Sequence, residues 1–387
     1  MMHIAFLTPE YPTTSAGRCG GLGTSLGTLA RGLVRAGVKV SVILYGQERD
    51  ERREEEGVML HFLRQRHYRV GGWFLYRKYI QARIRTFVEE EQIDLIEVPD
   101  WTGISAFMSF RVPVVMRFHG SDTYFCQLEN RRQKVKNRWL EWCAVRAADA
   151  FIAPSTFAGE QSARLFGLRQ KVTRIPYGID VSHFSNPEPD AFERGTLLYL
   201  GTLIRKKGVL ELPFILRRVR QQYPNVKLVL IGNDSADSVS GRPSTYALFQ
   251  EALHPDDQDA VTYLGSKPYH EVQDFIRNAH ICLFPTFAET FGMVTVESMA
   301  MRKAVVNSDG GWAHELMANG ESGFLVDPHD HEAFANTIVR LLTDDALTSA
   351  VGVAARNFVE KHFAIATVVT QNQAFYHNCI ANGTRRT

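Results

Sequence analysis

Apolar residues recur along this chain in two alternating rhythms. In the first half the short β-branched runs HIAFLT (3–8), KVSVILY (39–45), DLIEV (94–98), VPVVMRF (112–118), AFIAPS (150–155) and VTRIPY (172–177) read as buried strands. The stretches 24–36, 73–91 and 131–149 between them carry the longer patterns of helices. Strand, helix, strand in this order predicts right-handed βαβ units and a parallel sheet covered on both faces. DVSHFSNPEPDAFERG (180–195) has two prolines and no apolar periodicity, so 181–195 reads as a linker. The alternation then restarts with TLLYLG (196–201), VKLVLIG (226–232), VTYLG (261–265), ICLFP (281–285), AVVNSD (304–309) and GFLVDP (323–328).

The expected architecture is therefore α/β with two Rossmann-like, doubly wound domains, residues 1–180 and 196–365, facing a central cleft. A chain of 387 residues suits two domains, since single cores rarely grow past about 250 to 300 residues. Ligands of open α/β sheets bind outside the carboxyl ends of the strands, which directs attention to the loops there.

Net charge is only +2, so nothing global points to nucleic acid. The distribution is uneven. Residues 1–180 hold 26 Lys and Arg against 19 Asp and Glu, and the remainder holds 18 against 23. A basic first half fits an acidic partner or an anionic membrane surface; solvated surfaces of opposite sign are the alternative. The cysteines Cys19, Cys126, Cys143, Cys282 and Cys379 are scattered and form no C-x-x-C pair, which argues against a disulfide framework or zinc site. A reducing, cytoplasmic compartment is expected. The opening MMHIAFLTPEYP reads as a first strand rather than a signal peptide, and no run approaches the roughly 18 apolar residues of a membrane span.

Three loops carry candidate chemistry. In YPTTSAGRCGGLGTSLGTLARGL, Gly20, Gly21 and Gly23 precede a helix and can let backbone N–H groups approach a ligand. The spacing from Gly21 invites a dinucleotide fold and hence an NAD(P)-dependent oxidoreductase. The long gap after the strand, and a second strand ending in ILYGQ without an acidic residue for a ribose, count against it. In LGTLIRKKGV, Arg205, Lys206 and Lys207 crowd one turn and repel unless an anion or solvent screens them; a phosphate between Arg205 and Lys207 would do so.

In FPTFAETFGMVTVESMAM, Glu289 lies on the loop after a strand and Glu297 in the second turn of the following helix. The N–H groups of Phe291, Gly292, Met293 and Val294 belong to that helix start and can hold a diphosphate. Glu297 can accept from a ribose diol, and Glu289 can meet sugar hydroxyls. His119 in RFHGSD sits at a strand's carboxyl end. Asp257-Gln258-Asp259 precedes a strand and reads as a turn rather than a metal site.

The run FPTFAETFGMVTVESMAMRKAVVNSDGGWAHELMANGESGFLVDPHD resembles the retaining glycosyltransferases of family 4 (group 1), which have the GT-B fold; Glu289 and Glu297 match their Glu-x7-Glu motif. RFHGSD, AADAFIAPSTFAGEQ, IPYGIDVSHF and the N-terminal glycine loop are also similar to this family, so the likeness spans nearly the whole chain. Two places depart from the pattern. Gly201-Thr202-Leu203 stands where the family often has Gly-Arg-Leu, and Tyr177-Gly178 where it has Asn-Gly.

The resemblance implies transfer of a sugar from a nucleoside-diphosphate sugar to an acceptor hydroxyl with retention, giving an α-glycosidic bond. His119, Glu289, Arg205 and Lys207 would be catalytic, and Lys207 matches the family lysine. Gly21, Gly23, Arg205, Lys207, Glu289, Phe291, Gly292, Met293, Val294 and Glu297 would hold the nucleotide sugar, with residues 263–269 near the base. No cofactor and no metal are expected.

The acceptor, a saccharide or lipid-linked, would sit on the first domain, joined by the C-terminal helix at about 366–387. NRRQKVKNRWLEW (130–142) and YRKYIQARIR (76–85) are basic with interleaved aromatics. They are expected to face an anionic acceptor at the inner face of the membrane, with an ordinary solvated helix face as the alternative. A non-catalytic sugar-nucleotide sensor and a sugar-nucleotide epimerase are further readings of the same residues.

Overall fold

The computed structural model describes residues 1–13 and 20–383. The chain divides into two compact units, Met1–Ile179 with the segment from Ile365 onward, and Asp180–Ala364. In the first unit the elements run β1 (His3–Thr8), α1 (Gly21–Arg35), β2 (Lys39–Gln47), β3 (Glu51–Glu55), β4 (Val58–Arg64), α2 (Gly72–Glu91), β5 (Leu95–Pro99), β6 (Val114–Arg117), α3 (Asp122–Leu128), α4 (Val135–Arg146), β7 (Ala150–Ala153), α5 (Thr156–Phe166) and β8 (Val172–Arg174). Their sheet has the order β3-β4-β2-β1-β5-β6-β7-β8, parallel throughout except for β3.

Side chains alternate across this sheet, as pleating requires. Ala5 and Leu7 of β1 pack with Ile80 and Ile84 of α2, while Ile4 and Phe6 pack on the other face with Leu29 and Leu33 of α1. Every strand expected in this half is present, but the structure adds the β3–β4 hairpin. Glu56 and Gly57 turn it with φ of 51° and 78°, the two positive values that a two-residue hairpin turn needs. β3 escapes a hydrophobic reading because ERREE is wholly charged. It is an edge strand, where charge discourages pairing with other chains. Arg53 holds it through Glu51 and Glu55, with its guanidinium 4.7 Å from the Phe62 ring centre on β4.

The second unit contains β9 (Thr196–Leu200), α6 (Leu212–Gln222), β10 (Lys227–Ile231), α7 (Thr245–Ala252), β11 (Val261–Tyr263), α8 (Tyr269–Asn278), β12 (Ile281–Phe284), α9 (Met293–Ala300), β13 (Ala304–Ser308), β14 (Phe324–Val326), α10 (His331–Thr343) and α11 (Asp345–Phe363). Its six strands are all parallel, in the order β11-β10-β9-β12-β13-β14. The stretch read as a linker belongs to this unit. Phe184 and Asn186 are buried in it, the Asn186 amide donates to the Met301 carbonyl at 3.1 Å, and Arg356 donates to the Val181 and Phe184 carbonyls. Its two prolines remove N–H donors without preventing side-chain anchoring, which is why composition alone suggested a free link.

The last helix, α12 (Ile365–Gly383), lies with the first unit. It packs on α1, where a Cβ at Gly32 would stand 2.7 Å from the Val369 side chain. Both sheets reverse strand order at a central strand: β1 lies between β2 and β5, and β9 between β10 and β12. The crevices outside the carboxyl ends of β1/β5 and β9/β12 are thus where each unit can receive a ligand.

Candidate functional site

In the second unit the loop after β9 is pressed onto the end of β12. Gly208 has φ of 70°, and a Cβ there would lie 1.7 Å from the Pro285 carbonyl oxygen, so only glycine permits the approach. The Phe287 N–H donates to the Lys206 carbonyl at 2.8 Å and ties the two loops again. This contact sets the Lys207 ammonium against the Glu289 carboxylate as an ion pair across the β9/β12 crevice. Arg205, on the same single turn, makes a two-pronged bond instead to Asp237, Nε to Oδ1 at 3.0 Å and Nη2 to Oδ2 at 2.9 Å.

Asp237 is buried, and Arg205, followed by the Ser240 hydroxyl and N–H, holds its carboxyl well below the usual range. Crowding of cations on this turn is therefore relieved by carboxylates from within the unit. The expectation that a phosphate supplies the screening is corrected to that extent. Lys207 keeps further donor capacity, since an ammonium has three N–H groups and Glu289 takes one.

The loop after β12 leads into α9 through Gly292, whose φ of 102° turns the chain into the helix. The Phe291 ring is buried edge-on against Phe363 at 5.3 Å and anchors the turn. The first intrahelical bonds run from Thr295 and Val296 to the Gly292 carbonyl. Met293 and Val294 thus present N–H groups that the helix itself does not use. No acidic residue sits in this first turn, so its partial positive charge stays available to an anion.

One turn on, Glu297 is 4% exposed. Its Oε1 accepts from the Tyr269 hydroxyl at 2.7 Å. Burial pushes its carboxyl up to about 7 despite that bond. The Asp257-Gln258-Asp259 stretch lies in the short helical segment Pro255–Ala260, with Asp257 and Asp259 both paired to Arg220.

In the first unit, β6 ends at Arg117 and delivers His119. The Asp100 carboxylate, just past β5, accepts the His119 N–H at 2.9 Å and the Gly120 N–H at 3.2 Å. The imidazole Nδ1 lies 2.6 Å from the Tyr177 hydroxyl, and the two rings stack within 8° of parallel. Tyr177 stands where the resembled pattern has asparagine, and its hydroxyl orients the histidine. Although the ring keeps a partly exposed rim, desolvation and then the Arg117 guanidinium lower its pKa to about 3, so it is neutral near pH 7.

Behind it Arg117 bonds Glu97 at 2.7 and 3.0 Å and the Asn372 side-chain oxygen at 2.6 Å, while the Tyr376 hydroxyl donates to Glu97 at 2.6 Å. Asn372 and Tyr376 lie on α12, so the C-terminal helix buttresses the His119 strand.

The glycine loop is arranged differently from its sequence reading. The Glu10 carboxylate accepts the N–H groups of Gly20 at 3.1 Å and Gly23 at 2.9 Å, which fills the amides expected to meet a ligand. Among the described residues, a Cβ at Gly21 would touch nothing within 4 Å. Residues 14–19 of the same loop lie outside the described residues. The structure thus joins Lys207 with Glu289 and sets the α9 start beside Glu297, within one unit, while His119 stands in the other. Asp100, Asp237, Tyr177 and Tyr269 were missed as partners because each lies far along the chain from the group it holds, with no motif to mark the pairing.

Comparison with known proteins agrees with this architecture. The family described as "Glycosyltransferase Family 4" matches residues 19–183 and that described as "Glycosyl transferases group 1" matches residues 183–358. Alpha-maltose-1-phosphate synthase of Mycolicibacterium smegmatis is 29% identical over 268 residues, covering 63% of this chain and 66% of that protein. Phosphatidyl-myo-inositol mannosyltransferase of Mycobacterium tuberculosis is 30% identical over 227 residues, covering 56% and 57%. The chain thus spans less than two thirds of the length of these two relatives.

Among solved structures, sucrose-phosphate synthase from Thermosynechococcus elongatus superposes with a TM-score of 0.81 at 22% identity, over 99% of this chain and 100% of that one. Anabaena HepE in complex with UDP and glucose gives 0.76 at 18% identity, over 98% and 100%. With both matched segments in place and the two parallel-sheet units they superpose on, the chain belongs to the group 1 glycosyltransferases of GT-B fold.

Proposed function

We propose that this glycosyltransferase is retaining, moves a sugar from a nucleoside-diphosphate sugar to an acceptor hydroxyl, and forms an α-glycosidic bond without a metal. The observation that carries the reading is the meeting of Lys207, Glu289 and the N-terminus of α9 at the β9/β12 crevice. A diphosphate leaving group develops charge there. Lys207, the Met293 and Val294 amides and the outer edge of Arg205 are fixed beforehand to stabilise it. Ionised Glu297 takes the ribose diol, and Glu289 orients the donor sugar while holding Lys207.

The departing phosphate oxygen accepts the acceptor's proton on the face it leaves, so no enzyme nucleophile is needed. His119 of the first unit, neutral near pH 7, offers its ring as a hydrogen-bonding group. Nucleotide-sugar use is supported by the relatives: HepE is solved with UDP-glucose and is the same fold. The product in this reading is a polysaccharide or glycolipid, made at the cytoplasmic face of a membrane where the acceptor is lipid-linked; the relative named phosphatidyl-myo-inositol mannosyltransferase supports a glycolipid product.

A thermal-shift panel of nucleotide sugars tests the donor. One present at 100 times its dissociation constant stabilises by about 2.7 kcal/mol. With that donor, Glu289→Ala is expected to lower turnover by about 10²–10³ with little change in nucleotide affinity. A donor that binds without transfer or slow hydrolysis, or turnover abolished by a chelator, would overturn the reading.

A further inference from the structure

An unusual surface lies at the carboxyl end of the first sheet. On α4, Val135, Trp139, Trp142 and Arg146 fall on one stripe and are all exposed, whereas Leu140, Ala144 and Val145 on the opposite stripe are buried. Trp73 and Phe74 open α2 and are exposed as well. Trp73 meets Trp139 edge-on at 5.7 Å, and Phe107 joins both at 5.9 and 5.2 Å. Trp73, Phe74, Phe107 and Trp139 form one contiguous aromatic cluster with half-buried Phe107 at its base, and exposed Trp142 lies one turn on from Trp139. Isolated exposed aromatics need no explanation, but a contiguous group of them marks an interaction site.

The platform is built rigidly. The Arg77 guanidinium donates to the Trp73 carbonyl at 2.7 Å and to the Gly103 and Thr102 carbonyls at 3.1 Å each, which rivets the start of α2 to the turn Trp101–Gly103. Gly103 has φ of 57°, and a Cβ there would lie 2.4 Å from the Leu140 backbone, so α4 presses on the same turn. That turn follows Asp100, whose carboxylate holds the His119 and Gly120 amides. The platform and His119 therefore share one end of the sheet.

Cations rim it. Between Arg131 and Arg146 there are six Lys and Arg and a single carboxylate, Glu141, which is buried and engaged with Thr123. Lys134, Lys136 and Arg138 are exposed, with the Lys136 ammonium 5.8 Å from the Trp73 ring centre and the Arg146 guanidinium 4.0 Å from that of Trp142. Among the described residues no helix is long and apolar enough to cross a membrane.

We infer that this face docks on the headgroup layer of an anionic bilayer. Tryptophan is suited to that layer because its ring is apolar and its N–H is polar, and lysine and arginine add attraction to anionic lipid. A second copy would bring the same cations face to face, whereas the one-sided charge around membrane-interface tryptophans matches an anionic lipid surface. Docking of this kind would hold the carboxyl end of the first sheet, and His119 with it, toward the bilayer, so that an acceptor on a lipid carrier enters from below. The acceptor clause rests on the transferase reading, whereas the docking does not.

The test measures binding of the whole chain, without donor, to phosphatidylcholine vesicles with and without phosphatidylglycerol. Co-sedimentation and quenching of tryptophan fluorescence by brominated lipid are the readouts. Binding is expected only with the anionic lipid, falling with added salt, with quenching. Replacing Lys134, Lys136 and Arg138 together by Ser should weaken it by about 100-fold. Trp139→Ser with Trp142→Ser should sharply reduce quenching, leaving that of Trp73; circular dichroism and thermal melting confirm that both variants are folded.

Equal binding to neutral vesicles, no binding at low salt, or self-association lost in the Trp variant without lipid binding each overturn the inference. Transfer to a soluble acceptor, measured in the same variants, is expected to persist. Failure of docking is thereby distinguishable from failure of the transferase reading.

Discussion

Glu297→Gln separates the cost of burying a carboxylate from its use. In the folded chain the Glu297 carboxyl stands at about 7, against an ordinary 4.5, because burial outweighs the Tyr269 hydrogen bond. The folded state therefore holds this proton more tightly than the unfolded state does. Between those two values stability must fall as pH rises, and it levels off above about pH 7. The difference corresponds to about 3 kcal/mol, most of which falls between about pH 5 and pH 8.

Glutamine keeps the shape and an oxygen for the Tyr269 hydroxyl but cannot ionise. Its NH2 needs an acceptor, and lacking one would cost about 1 kcal/mol at every pH. That offset cancels when the difference between variant and wild type is followed across pH. Urea unfolding at several pH values should show the variant gaining about 2 to 3 kcal/mol on the wild type from about pH 5 to pH 8. Nucleotide affinity should behave in the opposite sense: in wild type it weakens as pH falls below about 7, and in the variant it is low and flat. A stability difference constant with pH would refute the buried-carboxylate reasoning. Wild-type nucleotide affinity indifferent to pH would refute the ribose role.

Other perturbations follow from single contacts. Gly208→Ala forces a Cβ into the Pro285 carbonyl at positive φ, so a loss of about 3 kcal/mol or more is expected in thermal unfolding, together with weaker nucleotide binding as the turn carrying Lys207 is displaced from the crevice. Tyr177→Phe removes the hydroxyl 2.6 Å from the His119 ring; kcat should drop about tenfold with nucleotide affinity unchanged, and an unchanged kcat would deny the tyrosine its positioning role.

Lys303 is 2% exposed with its Nζ unbonded and its pKa lowered from 10.5 to about 8 by burial. The charged form is thus penalised in the folded state, most fully below about pH 8, and the penalty is lost as pH rises toward 10.5. Lys303→Met should stabilise by about 3 kcal/mol at pH 7, less about 1 kcal/mol for the lost contact with the Phe192 ring at 5.2 Å, and the gain should shrink at high pH. Melting temperatures measured against pH check both the sign and the window.

Much of this protein could be read from its linear pattern. Buried parallel strands are continuous apolar runs, so TLLYL and ICLF declare themselves, and the order of strands and helices dictates two doubly wound sheets. The Glu289–Glu297 spacing and the basic turn Arg205–Lys207 were legible because each lies within a few residues of a strand's end. ERREE was not, since an edge strand owes its existence to the partner it pairs with rather than to its own apolar face.

Pairings across the fold were likewise invisible. Nothing in the chain announces that Asp237 takes Arg205, that Glu10 fills the Gly20 and Gly23 amides, that Tyr177 holds His119, or that Trp73 meets Trp139. Local residues set where a group can stand. Which charges are neutralised, and which proton is held near pH 7, depends on neighbours delivered from distant segments and on how completely they exclude water, and those are properties of the packed molecule alone.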